Sequence, residues 1–170
     1  MQTIVQVPIA DLRGTEAFDG IADEGLKKIA GLCTQKVYEA GEYCAVRGDK
    51  AAHLLIVTGG KAASEVRVDT GKQTYTVTIA HLTKGHLGAW SAIVPPHSLT
   101  SSLRCVEKTT IVSIAASDLK RVFAEDPSIE RIVMTNLAFV IGSRLRDSQV
   151  QLQRLVVEIL KQGTPDDGNK

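Results

Sequence analysis

Between residues 37 and 114 the apolar residues come in short runs, and glycines interrupt the runs at close intervals. "KVYEAGEYCAV" has a turn at Ala40-Gly41 between two short strands, and "RGDKA" is a second turn. "HLLIVTGG" is a buried strand closed by two glycines, and "KAASEVRV" leads into the turn Asp69-Thr70-Gly71. In "KQTYTVTIAHL" Tyr75, Val77 and Ile79 alternate with Thr74, Thr76 and Thr78. A period of two predicts a strand with one buried face. "LRCVE" and "TTIVSI" are two further strands. Many short strands with turn residues between them predict a sandwich or small barrel of the jelly-roll kind.

Helical spacing flanks this region on both sides. Ala22, Leu26, Ile29, Ala30 and Cys33 predict a short helix, with Asp23 and Glu24 near its positive end. "SDLKRVFAED" predicts another, with serine as its cap. Asp126-Pro127 opens a third, because proline in the first turn sacrifices no hydrogen bond. Apart from Gly142, no breaker follows until Gly163.

The last helix carries a seven-residue rhythm: Ala138, Leu145, Leu152 and Ile159 on one seam position, Ile141, Ser148 and Leu155 on the other. Such a seam pairs with another helix. Packing on its own barrel is expected through about Leu145, and pairing with a second copy beyond residue 148. The expected organisation is a lead-in over 1–17, a β-roll with flanking helices over 18–125, a long helix over 126–161, and a disordered tail over 162–170. The fold class is α+β: an antiparallel β-roll with a short N-terminal helix, a short helix after the barrel and a long C-terminal dimerisation helix.

Lys plus Arg number 20 and Asp plus Glu 19, for a net charge of +1, so no electrostatic footprint for nucleic acid or an anionic membrane appears. Cys33, Cys44 and Cys105 form no CxxC pair and read as reduced thiols of a cytoplasmic protein. His53, His81, His86 and His97 are scattered. No nucleophile–base pair or carboxylate dyad stands out, and the chain does not read as an enzyme.

The order helix, strand-rich barrel, long helix resembles the cyclic nucleotide-binding domain superfamily, and in particular the sensor domain of catabolite activator-like proteins. "FDGIADEGLKKIA" (18–30) is similar to the family's leading helix. In "VYEAGEYCAVRGDKAAHLLIVTGGKA" (37–62), Gly41, Gly48, Asp49, Leu54, Val57 and Gly60 fall at its turn and core positions. "LTKGHLGAWSAI" (82–93) resembles the start of its phosphate-binding cassette, "LRCVEKTTIVSIAASDLKRVF" (103–123) its closing strands and next helix, and "DPSIERIVMTNLAFVIGSRL" (126–145) its long helix.

The resemblance implies a cassette over 85–105 in which backbone amides hold a cyclic phosphate, an Arg neutralises it and a Glu accepts from the ribose. This sequence departs at both charged positions. Ala89, after Gly88, stands where the family has Glu, and Leu99 stands where it has Arg. An ion-paired hydrogen bond contributes about 1.5–3 kcal/mol, so losing both weakens a cyclic nucleotide by a factor on the order of 10² to 10⁴.

Ser101 and Ser102 match the small and hydroxyl positions after the Arg, and His97 is a side chain nearby able to carry charge. Trp90, the only tryptophan, reads as a core aromatic at a helix start that could plug the pocket. Pro95-Pro96 removes two amide donors. The candidate ligand-binding residues are Gly88, Ala89, Trp90, Ser91, His97, Leu99, Thr100, Ser101 and Ser102, with Ser148 on the long helix, where relatives reach the base.

No cofactor is assigned, and the expected ligand is a small molecule of unspecified identity. The residues expected beyond the long helix are too few for a helix-turn-helix, so DNA binding by this chain is not expected. Three functions follow: a sensor module with a modified cassette coupled to the last helix; a ligand-free pseudo-receptor whose pocket Leu99 and Trp90 fill, acting as a dimeric scaffold; and a redox sensor using haem on His81 or His86, or the pair Cys44 and Cys105.

Overall fold

The computed structural model describes residues 7–163. The first helix, α1 (Ile9–Leu12), lies within the expected lead-in, which was read without a helix. It is one turn long, and helical periodicity cannot be read from four residues. Val7, Leu12, Thr15, Ala17 and Phe18 are nonetheless buried, so the segment is part of the core. α2 (Asp23–Ala30) follows, with Asp23 and Glu24 in its first turn and Leu26, Ile29 and Ala30 buried.

Among the described residues, eight strands make two four-stranded antiparallel sheets. They are β1 (Cys33–Tyr38), β2 (Tyr43–Ala45), β3 (His53–Gly59), β4 (Ala62–Asp69), β5 (Thr74–Leu82), β6 (Leu87–Gly88), β7 (Ser102–Cys105) and β8 (Thr109–Ala115). One sheet has the order β1-β8-β3-β6 and the other β2-β7-β4-β5. This is the jelly-roll topology expected from the strand rhythm. Between the sheets lies an apolar cluster of Ala45, Leu55, Val57, Ala62, Leu82, Leu103 and Ile111.

Strand β5 corrects one expectation. Tyr75 and Val77 share one face, Ile79 stands at a break in register opposite Ser64 and Glu65, and the three are 49%, 45% and 39% exposed. β5 is the edge of its sheet, paired with β4 alone. Burial along the β4–β5 hairpin stops near Val66 on one strand and Ala80 on the other. Alternation reports which residues share a face, but not whether anything covers it.

After β8 comes α3 (Ala116–Glu125). Its cap is Ala115, which offers no side-chain hydrogen bond; Ser117 sits inside the first turn and is not the predicted cap. Asp118 does stand in the first turn, where a negative charge meets the helix dipole favourably. α4 (Pro127–Gly163) begins at the predicted proline and runs unbroken through Gly142. Its 37 residues span about 55 Å at 1.5 Å per residue.

The chain divides into two compact units, residues 1–137 and 138–170. Within the first, Ile129, Val133 and Leu137 are buried one helical turn apart. The Asn136 amide donates to the carbonyls of Ala17 at 3.3 Å and Asp19 at 2.9 Å. Within the second, Val140 is the last buried apolar residue. Leu145 is 59% exposed, so burial ends earlier than expected. Leu152, Leu155, Ile159 and Leu160 are likewise exposed. The rest of the expected disordered tail, 164–170, lies outside the described residues.

Candidate functional site

The cassette begins where β6 ends. Gly88 is tightly enclosed: an added Cβ would lie 2.6 Å from Leu103 Cδ1. Ala89 then takes a left-handed conformation, φ +54°, and caps a 3-10 turn over Trp90–Ala92. Trp90 starts that turn as expected but is only partly buried, while Ser91 and Ala92 are buried. His97 is also left-handed, φ +60°, and the Pro95-Pro96 peptide is cis.

The turn at 85–87 is anchored by the N-terminal segment. Glu16 N–H donates to Gly85 O at 2.8 Å, and Leu87 N–H donates to Glu16 Oε2 at 2.7 Å. His86 Nδ1 accepts from Thr83 N–H at 2.8 Å, which leaves the ring proton on Nε2, 3.9 Å from Glu16 Oε1. His86 is thus held within the protein.

The loop uses much of its own polarity. The amides of Ala92, Ile93, Val94, His97 and Leu99 donate to carbonyls of Ala89, Trp90, Trp90, Val94 and Asp49 respectively, and Pro95 and Pro96 have none to offer. His97 Nδ1 lies 3.1 Å from Ser91 O. In return, Gly48 N–H donates to Leu99 O and Ala51 N–H to His97 O, each at 2.9 Å, tying the loop to the turn at 48–51.

The two cassette serines diverge, as neighbours near a strand do. Ser101 hydrogen-bonds Ser64 Oγ at 2.8 Å. Ser102 Oγ accepts from Arg47 N–H at 2.9 Å and faces a small cavity of about 260 Å³ beside Arg47, Glu65 and Arg67. Next to it, Arg104 holds the buried Glu65 carboxylate with Nε and Nη2 at 3.0 and 2.7 Å. Thr100 is exposed. Ser148 belongs to the second unit and is exposed there.

The larger cavity, about 870 Å³, is where the two departures meet. Both Ala89 and Leu99 line it, and both pack on the apolar cluster between the sheets. Of the expected ligand-binding residues, these two alone line it. The rest of the wall comes from β1, from residues 44–46 and 49–53, and from Leu55 and Ser113. Lys36, Tyr38, Asp49, Lys50 and His53 line it too and are not among the ligand-binding residues expected from the sequence.

Cys44 lines the cavity and Cys105 lies buried next to it, close enough for their thiols to interact. Burial pushes the Cys44 thiol up to about 12, with Cys105 adding to the shift, and burial raises Cys105 as well. Cys33 is pushed up to about 12 by burial alone. Reactive thiolates need the opposite shift. Among the described residues, no three His, Cys, Asp or Glu side chains converge on a metal position.

Two four-stranded antiparallel sheets, a short loop-borne cassette that contributes Ala89 and Leu99 to a cavity, and a long helix after the roll define a β-roll with flanking helices. Residues 35–126 match the family described as the cyclic nucleotide-binding domain, and the chain belongs to that family. A protein from Geobacter metallireducens GS-15 described as cyclic nucleotide-binding superposes with a TM-score of 0.68 at 22% identity, covering 82% of this chain and 98% of that one. A cyclic nucleotide-binding domain from Methylobacillus flagellatus KT gives 0.72 at 14% identity, covering 94% and 84%. The catabolite activator protein of Thermus thermophilus gives 0.66 at 23%, covering 88% and 73%. The likeness to these structures is one of fold. No curated protein matches the sequence. No described helix is long and apolar enough to cross a membrane.

Proposed function

We propose that the chain is a regulatory sensor, a binding domain and not an enzyme. A small ligand occupies the cavity bounded by Ala89 and Leu99, and α4 carries the signal to a second copy of the chain. The observation that supports this reading is the pairing of a ligand-sized cavity with an uncharged cassette: no Asp, Glu, Lys or Arg lies between Gly85 and Leu103. Signalling requires the ligand to prefer one arrangement of the helix over another. The exposed apolar residues of α4, Leu145, Leu152, Leu155 and Ile159, favour a homodimer through that helix.

A cyclic nucleotide is not the ligand of this reading. Its phosphate would meet Leu99 without a countercharge, at a desolvation cost. Calorimetric titration with cyclic AMP and cyclic GMP tests this: saturation with Kd below about 10 μM would overturn it.

A second reading is favoured by the self-satisfied loop. Ser101 bonded to Ser64, Ser102 bonded to Arg47 and His97 beside Ser91 suit a pseudo-receptor that takes no ligand and serves as a dimeric scaffold. Native mass spectrometry of the purified protein separates the two, since a retained adduct supports the sensor.

A further inference from the structure

The 870 Å³ cavity has a mixed lining. Ala45 and Leu55 belong to the inner cluster, and Ala89 and Leu99 pack against it. Lys36, Lys50 and His53 line it as well, with Asp49 the one acid lining the cavity.

The register of β1 places Lys36 there. Lys36 lies opposite Ile111 of β8, and residues directly opposite in an antiparallel pair project from the same face. Ile111 is in the inner cluster, so Lys36 stands on the same face of the sheet, exposed at its edge. Its Nζ sits 4.4 Å from the centre of the Tyr38 ring, two residues along the same face. The cavity follows residues 34–38 consecutively, as a cleft does along the free edge of a strand, and β1 is the edge of its sheet. Among the described residues, no carboxylate lies in ion-pair range of Lys36, Lys50 or His53. All three side chains are exposed where they line the cavity, open to a ligand from solvent.

We infer that the cavity takes an amphipathic organic anion. Its carboxylate or phosphate group is held by Lys36, assisted by Lys50 and His53, and its apolar body lies on Leu55, Ala89 and Leu99. The anionic end therefore sits beside Lys36 of β1. This inference rests on the sensor reading and names the ligand class of that same site.

Calorimetry with octanoate, octyl phosphate, 1-octanol and octyltrimethylammonium tests it. The two anions distinguish a carboxylate from a phosphate preference. The expected result is saturable binding of at least one anion, about tenfold or more tighter than octanol, with no binding of the cation. Lys36→Gln weakens the anion about tenfold, the loss of one charge-assisted contact, while Lys36→Arg keeps it within about threefold. Lys50→Gln, at an exposed turn residue, is the second variant if Lys36→Gln fails to fold. Octanol bound as tightly as the anions, or affinity unchanged in both Gln variants, would overturn the anion assignment and leave a ligand-binding cavity standing. No binding of any probe would overturn the assignment and the sensor reading together.

Discussion

At Gly60 an added methyl group would meet Lys108 O at 2.3 Å and Thr109 Cα at 2.8 Å, in a backbone already at φ +76°. Neither obstacle is a side chain that could swing away, because the loop is pinned by Thr109 Oγ1 donating to Lys61 O at 2.9 Å. Gly71 has nearly the same φ, +77°, but open space around it. The pair separates conformational strain from collision. Gly71→Ala is expected to cost about 1 kcal/mol, the left-handed penalty alone. Gly60→Ala adds an overpacking penalty and should cost about 3 kcal/mol. Urea midpoints at constant slope measure both, and equal losses would refute the distinction.

At the scale of elements, the start of α4 is built by Asp126. Its Oδ1 accepts from Ser128 N–H at 3.0 Å and Ser128 Oγ–H at 2.6 Å. The Ser128 hydroxyl contributes most to holding the Asp126 carboxyl below its ordinary 3.8. A depressed carboxyl pKa gives stability that is present above the unfolded value and lost as pH falls through the folded one. Asp126→Ala should therefore lower Tm at pH 7, and its deficit against the wild type should shrink as pH drops below 3.8. A deficit independent of pH would show that the carboxylate charge is irrelevant to the cap. The proline after this aspartate made the helix start legible in the sequence. The glycine turns made the strands legible for a similar reason: both are local constraints on φ. The missing cap at Ser117, the one-turn α1 and the uncovered face of β5 were not legible, because each depends on what packs nearby. The site divides the same way. Ala89 and Leu99 could be read from their places in the cassette pattern, whereas Lys36 enters the cavity only through the β1–β8 register, which no short-range pattern in "TQKVY" reveals.

For the whole molecule, the apolar residues of the second unit should decide the association state. Leu152 and Ile159 are 62% and 67% exposed, so charging them leaves the buried core intact. Under the proposed dimer, Leu152→Glu with Ile159→Glu yields a monomer by light scattering while the circular dichroism of the roll is unchanged. A wild-type monomer would dismiss pairing through α4. Ala89 and Leu99 also bear on how such a chain changes over generations. Because both rest on one apolar cluster, an arginine arriving alone at 99 would bring a charge into it without an acid at 89, and a glutamate arriving alone at 89 would do the reverse. Each single step toward a charged cassette is thus uphill. A lineage that has acquired both apolar residues is held there as by a ratchet: drift can alter its ligand, but it will seldom lead back to a phosphate clamp.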